Sequence, residues 1–141
     1  MAVEPLTIAY VEDDPRHVHE MQKLLCRWLV NPIEVYTHGE ALLRRLTRHT
    51  ADRTTKPGIV LVDLSLPDMH GTDIVRRIKD EHADMDRVPK IIVTGSDDET
   101  AVQNARLAGA DGYIVKPIRM HALMGVLNQV APYGLQIVAR T

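Results

Sequence analysis

Charged residues follow three short apolar runs of this chain, and together they could bind a cation and attack an electrophile. They are, in chain order, Glu12-Asp13-Asp14, Asp63 and Lys116. If the runs are neighbouring parallel strands, these side chains meet at the carboxyl edge of one sheet. Carboxylates clustered in this way repel one another unless a cation lies among them. The pattern therefore predicts a divalent metal ion beside a reactive aspartate.

Apolar runs and helical patterns alternate five times along the chain, which predicts a parallel sheet covered by helices. The predicted strands are Leu6–Val11, Ile33–Tyr36, Ile59–Asp63, Lys90–Val93 and Gly112–Val115. The second strand alternates in polarity and is expected at an edge of the sheet. The predicted helices are 15–30, Glu40–Leu46, Gly71–His82, a fourth that Asp97 or Asp98 caps and Gly109 ends, and Ile118–Val130. Thr47–Gly58 is polar and is predicted to be a loop, which either adds a partner contact or is disordered.

Length and composition favour one domain with an aliphatic core. The chain has 141 residues, 45% of them apolar and 4% aromatic, which is enough to bury a core. A net charge of −2 gives no electrostatic case for binding nucleic acid or a membrane. Cys26 stands alone, which fits a reducing compartment, and no apolar stretch approaches a membrane span. We expect a cytoplasmic protein without a signal peptide.

Four motifs, each at the end of a predicted strand, resemble the response-regulator receiver domain of two-component signalling. They are Val11-Glu12-Asp13-Asp14, Asp63 to Gly71, Thr94-Gly95-Ser96 and Tyr113-Ile114-Val115-Lys116-Pro117. The resemblance implies an α/β, flavodoxin-like, doubly wound five-stranded parallel sheet in the order 2-1-3-4-5 with five flanking helices. It implies a receiver domain over residues 1–131. Residues 132–141 then form a C-terminal tail or the stub of a linker.

The resemblance also implies a metal-dependent phosphoacceptor. Asp63 matches the aspartate that takes up the phosphoryl group. Asp13, Asp63 and the backbone carbonyl of Ser65 match the ligands of Mg²⁺, with Mn²⁺ as an alternative ion, and Glu12 acts through a metal-bound water. Lys116 matches the lysine that holds a phosphoryl oxygen, and its peptide bond to Pro117 is expected to be cis.

Thr94 and Tyr113 match the pair of residues that switches conformation after phosphorylation. The resemblance implies that the phosphoryl donor is a phosphohistidine on a sensor histidine kinase or a histidine phosphotransfer protein. The output surface is expected on helix 4, strand 5 and helix 5, where a downstream protein binds. Such a domain is a switch rather than an enzyme, since it promotes only its own phosphorylation and dephosphorylation. Dimerisation, the cognate kinase and the completeness of the chain stay open.

Three other functions compete with this interpretation. A phosphatase with an aspartyl nucleophile would need Asp-x-Asp, but Ser65 stands where its general acid belongs. A flavodoxin binds phosphate in a loop rich in Ser, Thr and Gly, and the acidic run after the first strand would repel it. A degenerate receiver could act as a protein-interaction scaffold, although all the motif residues are present.

Overall fold

A sheet of five strands runs through the part of the chain that the computed structural model describes, residues 7–52, 56–96 and 98–130. The strands are β1 (Ile8–Val11), β2 (Ile33–Tyr36), β3 (Ile59–Asp63), β4 (Lys90–Thr94) and β5 (Gly112–Val115). They pair in the order β2-β1-β3-β4-β5, and every pair is parallel. This order confirms the predicted flavodoxin-like topology. Leu6, the predicted start of the first strand, lies outside the described residues, and so does the 132–141 tail.

Five α-helices connect or follow these strands within the described residues. They are α1 (Pro15–Trp28), α2 (Gly39–Asp52), α3 (Gly71–Glu81), α4 (Glu99–Ala108) and α5 (Met120–Val130). A short 3₁₀ turn, Ala83–Met85, precedes β4 and has no counterpart in the sequence prediction. Helix α5 begins two residues later than predicted, at Met120 rather than Ile118.

The helix ends follow the local chemistry of the sequence. The Asp14 carboxylate accepts a hydrogen bond from the Arg16 N–H at 2.9 Å, and Pro15 opens α1. Asp98 caps α4 by accepting from the Thr100 N–H at 3.4 Å. Gly109 ends α4 at a φ of 111°, a conformation in which glycine avoids the clash that a Cβ would cause.

Helix α2 corrects the prediction that Glu40–Leu46 is a short helix and that Thr47–Gly58 is a loop. The helix runs from Gly39 to Asp52, so half of the predicted loop is helical. The apolar pattern ends at Leu46, but backbone hydrogen bonding continues beyond it. Hydrophobic periodicity marks only the part of a helix that packs against a core, which is why the prediction stopped too early.

Two separate cores cover the two faces of the sheet. Because successive side chains of a strand point to opposite faces, Val11 packs with α2, α3 and α4, whereas Tyr10 packs with α1 and α5. Strand residues in both cores are fully buried, as continuous apolar strands require. The helix residues that close the first core include Leu42, Ile74, Ile78 and Ala105, and those that close the second include Met21, Leu25, Leu123 and Leu127.

The strand register aligns the ends of β1, β3, β4 and β5. Val11 pairs with Val62, so Glu12 follows β1 level with Asp63. Thr94 pairs with Val115, which brings Lys116 just beyond the end of β4. The acidic and basic residues therefore share one edge, as predicted. Among the helices described, none has the length and hydrophobicity needed to span a lipid bilayer.

Candidate functional site

Three carboxylates meet at the carboxyl edge of the sheet. One oxygen from each of Glu12, Asp13 and Asp63 lies within 4.8 Å of the others. Glu12 is 1% exposed and Asp63 is 6% exposed, whereas Asp13 faces solvent. Oxygen ligands of this kind suit Mg²⁺, which keeps several of its waters and binds through one or two carboxylates. The three carboxylates therefore fit a divalent cation. Because Asp13 is exposed, water could reach a cation on that side of the cluster.

Lys116 completes the cluster from the other side of the sheet edge. Its ammonium donates to Glu12 Oε1 at 2.6 Å and to Asp63 Oδ1 at 3.4 Å. The peptide bond between Lys116 and Pro117 is cis, as the resemblance implied. The backbone N–H of Lys116 donates to the Thr94 carbonyl at 2.6 Å, so the hydrogen bonding between β4 and β5 extends as far as the lysine.

Burial and charge shift the acidity of the two inner carboxyl groups in opposite directions. Burial, followed by the negative charge of Glu12, raises the pKa of Asp63 from 3.8 to about 6, although Lys116 opposes the rise. Burial also acts to raise the pKa of Glu12, but the hydrogen bond and the charge of Lys116 outweigh it and the pKa falls. The lysine therefore pairs mainly with Glu12, and the Asp63 carboxylate keeps an incompletely neutralised charge above pH 6.

Thr94 and Tyr113, the predicted switch pair, both bind the backbone of Ser96. The Thr94 hydroxyl is buried and accepts from the Ser96 N–H at 3.3 Å. The Tyr113 hydroxyl donates to the Ser96 carbonyl at 2.5 Å. Tyr113 is half-buried and its ring packs against the core under α2, α3 and α4. The loop between β4 and α4 therefore links the two side chains through a single residue.

The loop after β3 carries Ser65 and is held at several points. Ser65 pairs with His70 through an isolated antiparallel bridge. Asp68 accepts from the N–H groups of Gly39 and Glu40, both at 3.0 Å, and so satisfies donors at the start of α2. These hydrogen bonds lower the pKa of Asp68 against the opposing effect of burial.

His70 caps α3, a role that the sequence prediction missed. Its Nδ1 accepts from the Thr72 N–H at 3.3 Å. The signal was its place immediately before the helix, since a ring nitrogen can replace the carboxylate or hydroxyl oxygen of an ordinary cap.

Two further residues of the cluster were not anticipated. The Tyr10 hydroxyl, buried on the α1 and α5 face, donates to Glu12 Oε1 at 3.1 Å, and burial followed by the Glu12 charge raises the pKa of Tyr10. His17 lies in the first turn of α1, and its Nδ1 is 2.9 Å from the Lys116 ammonium. Tyr10 is detectable from strand alternation, since it is two residues before Glu12. His17 gives a weaker signal, three residues after the cap of a helix that starts at the acidic edge.

Comparisons with known proteins match this chain to one family. The family model for the response regulator receiver domain matches residues 8–128. PilH of Pseudomonas aeruginosa is 26% identical over 123 residues, which cover 87% of this chain and 95% of PilH. RegX3 of Mycobacterium tuberculosis is 35% identical over 100 residues, which cover 71% of this chain and 40% of RegX3.

Solved structures show the same fold. The Mn(2+)-bound form of response regulator Rcp1 has a TM-score of 0.74 at 22% identity, with 97% of this chain and 99% of Rcp1 covered. A CheY-like receiver domain protein from Methanospirillum hungatei has a TM-score of 0.73 at 23% identity, with 89% and 93% covered. Since the family model spans most of the chain and the sheet order agrees with it, this protein belongs to the response regulator receiver domains of two-component systems.

Proposed function

We propose that this chain is a phosphorylation-activated switch in which Asp63 accepts a phosphoryl group from a phosphohistidine. The observation that carries the proposal is the meeting of Glu12, Asp13, Asp63 and Lys116 at one sheet edge. An isolated strand-end aspartate would explain Asp63 as a turn or cap residue. A turn or cap role would not explain why the buried Asp63 carboxylate lies beside two further carboxylates and an ammonium group.

Asp63 would attack phosphorus in line with the bond to the donor histidine. The new P–O bond forms on the carboxylate as the P–N bond breaks, and the electron pair returns to the imidazole nitrogen of the donor. Lys116 would release its bond to Asp63, the longer of its two carboxylate contacts at 3.4 Å, and donate to a phosphoryl oxygen instead. Water later hydrolyses the acyl phosphate and resets the switch.

The residues present fit a bound Mg²⁺, or Mn²⁺ in its place. Asp13, Asp63 and the Ser65 carbonyl would hold the ion, and Glu12 would act through one of its waters. When bound, the ion supplies positive charge that offsets the negative charge of the phosphoryl oxygens. The Mn(2+)-bound form of Rcp1 shows that a domain of this fold can hold such an ion.

Thr94 would transmit the change to Tyr113 through Ser96. A phosphoryl group adds about 1.5 to 2 negative charges near neutral pH, and the Thr94 hydroxyl is free to donate to it because its bond to Ser96 uses only an oxygen lone pair. Moving a two-state equilibrium from about 1:99 to 99:1 needs about 5.5 kcal/mol. Two or three charge-assisted hydrogen bonds of about 1.5 to 3 kcal/mol each supply that amount.

A sensor histidine kinase or a histidine phosphotransfer protein would donate the phosphoryl group.

The output partner would bind the face formed by α4, β5 and α5. This face presents apolar side chains to solvent, since Leu107 on α4 is 77% exposed and Val115 on β5 is 39% exposed. Tyr113 belongs to β5 and its hydroxyl binds the Ser96 carbonyl just before α4, so its movement would alter the same face. A second copy of the chain is the alternative occupant, and gel filtration with and without phosphorylation distinguishes the two.

Phosphate incorporation in an Asp63→Asn variant tests the proposal. The wild-type chain, supplied with acetyl phosphate and Mg²⁺, should gain an acid-labile phosphate that EDTA prevents, and the variant should gain none. Asp80→Asn, at an exposed position of α3, is the matched control and should be labelled like the wild type. Equal labelling of Asp63→Asn would reject the assignment of the phosphoacceptor.

Lys116→Ala separates the lysine from the metal ligands. Mg²⁺ affinity should be largely retained, because the ammonium is not a ligand, whereas the response of Tyr113 to phosphorylation should be lost. A collapse of Mg²⁺ affinity, followed by titration of an NMR signal near Asp63, would show that the lysine organises the acidic cluster instead.

A further inference from the structure

The geometry points to His17 as a positioning residue that holds the Lys116 ammonium for phosphoryl transfer to Asp63. The inference rests on the proposed function and adds a residue to it. His17 belongs to none of the four motifs, and its ring reaches the site from α1, 99 residues away in sequence from the lysine.

The ammonium group of Lys116 has three donors, and the structure offers three acceptors. These are Glu12 Oε1 at 2.6 Å, His17 Nδ1 at 2.9 Å and Asp63 Oδ1 at 3.4 Å. An ammonium has no lone pair, so each contact requires an acceptor on the other side. His17 therefore accepts a hydrogen bond from the third N–H of the lysine, and each N–H has one acceptor.

This arrangement requires a defined tautomer of the His17 ring. Nδ1 must carry the lone pair and Nε2 the proton, because a proton on Nδ1 would place two donors 2.9 Å apart. The ring also lies 3.4 Å from Glu12 Oε1 through the same nitrogen. That oxygen already accepts from Lys116 and from Tyr10, so the lysine is the partner that suits Nδ1.

The position of His17 explains what it would contribute. Glu12 is almost fully buried and holds the lysine by its shortest contact, at 2.6 Å against 3.4 Å to Asp63. His17 is partly exposed, with 36% of its side chain accessible, and its Nδ1 gives the ammonium an acceptor besides the two carboxylates. Without it, one N–H of the ammonium would lose its acceptor, and the N–H destined for a phosphoryl oxygen would be less firmly oriented.

The effect on transfer should be modest but measurable. A single hydrogen bond of ordinary net strength corresponds to about a three- to tenfold change in rate. We expect His17→Ala to slow phosphorylation by acetyl phosphate at saturating Mg²⁺ by that factor. His17→Gln should recover most of the rate, since its side-chain carbonyl can accept from the lysine in place of Nδ1. His19→Ala, at an exposed position on the same helix, should match the wild type.

A second measurement reads the contact without any phosphorylation. In ¹H–¹⁵N spectra of the histidine rings at pH 8, the signals that disappear in His17→Gln identify His17. We expect an unprotonated Nδ1 and a protonated Nε2, with the Nδ1 signal displaced in Lys116→Ala. Thermal unfolding of His17→Ala within a few degrees of the wild type shows that the fold is kept.

The two experiments separate this inference from the proposed function. If the wild-type chain takes up no phosphate on Asp63, the proposed function fails, and the ring tautomer together with the displacement of the Nδ1 signal in Lys116→Ala decides whether His17 binds Lys116. If the wild type is labelled but His17→Ala is equally fast, or His17→Gln is as slow as His17→Ala, the positioning role is refuted. A protonated Nδ1 refutes it in either case.

Discussion

Replacing Asp63 by Asn should stabilise the metal-free protein at neutral pH. The Asp63 carboxylate is 6% exposed, and burial together with the charge of Glu12 raises its pKa to about 6. The folded protein therefore disfavours the ionised form that dominates at pH 7. Asparagine has nearly the same shape and carries no charge, so it removes this unfavourable term. A residue placed for chemistry is expected to lower stability in this way.

The magnitude and its pH dependence follow from the two pKa values. A rise from 3.8 to about 6 corresponds to about 3 kcal/mol of unfolding free energy. Between about pH 4 and pH 6 the folded wild type binds more protons than the unfolded chain, so its stability falls as the pH rises. The advantage of the variant should therefore be absent near pH 4, grow through this window and stay constant above it.

Urea denaturation in EDTA, followed by circular dichroism at several pH values, measures the difference. At pH 7.5 the variant should be more stable by about 3 kcal/mol, or melt on the order of 10 °C higher, whereas Asp80→Asn should change little. Mg²⁺ at about 100 times its dissociation constant should stabilise the wild type by about 2.7 kcal/mol and nearly close the gap. A variant that is no more stable than the wild type, or a difference independent of pH, would refute the electrostatic argument.

Two further substitutions test close contacts in the fold, one beside the site and one at the opposite end of β4. Gly71→Ala should lower the free energy of unfolding, measured by urea denaturation, by about 1 to 3 kcal/mol, because the added Cβ would lie 2.5 Å from the backbone carbonyl oxygen of Asp63. The control is Gly95→Ala, whose added Cβ would have nothing within 4 Å. It should change the free energy of unfolding by less than about 0.5 kcal/mol. Lys90→Met should also lower the free energy of unfolding by about 1 to 3 kcal/mol, because the buried ammonium donates to the carbonyls of Val88 at 2.7 Å and Met85 at 3.0 Å. The control Lys23→Met, on the exposed surface of α1, should leave the free energy of unfolding unchanged.

The sheet and its acidic edge could be predicted because they depend on properties that a sequence displays directly. Strands buried on both faces are continuously apolar, so Ile59–Val62 is recognisable as a strand without any contact information. Strands that alternate with helices are parallel, and parallel strands place their carboxyl ends together. The proximity of Asp63 and Lys116 could therefore be predicted from the topology alone, although 53 residues separate them in sequence.

The contacts that refine the site could not be predicted in the same way. His17 meets Lys116 because the first turn of α1 and the end of β5 reach the same point, and no periodicity reports that coincidence. Ser96 links Thr94 to Tyr113 through its backbone, and backbone groups are identical for every residue type. The C-terminal half of α2 was missed because it continues without the apolar stripe that marks a packed helix.

The loop after β3 shows why such contacts matter for the proposed chemistry. Asp68 ties the middle of the loop to the start of α2, and His70 fastens its end to α3. Gly71 lets α3 approach the backbone of Asp63 more closely than a side chain would allow. Ser65, whose carbonyl is the proposed third ligand, lies between these restraints and the end of β3. Ordering this loop in the resting fold removes an entropic cost that a cation would otherwise meet on binding, so the acidic cluster and the Ser65 carbonyl would need little rearrangement to hold one.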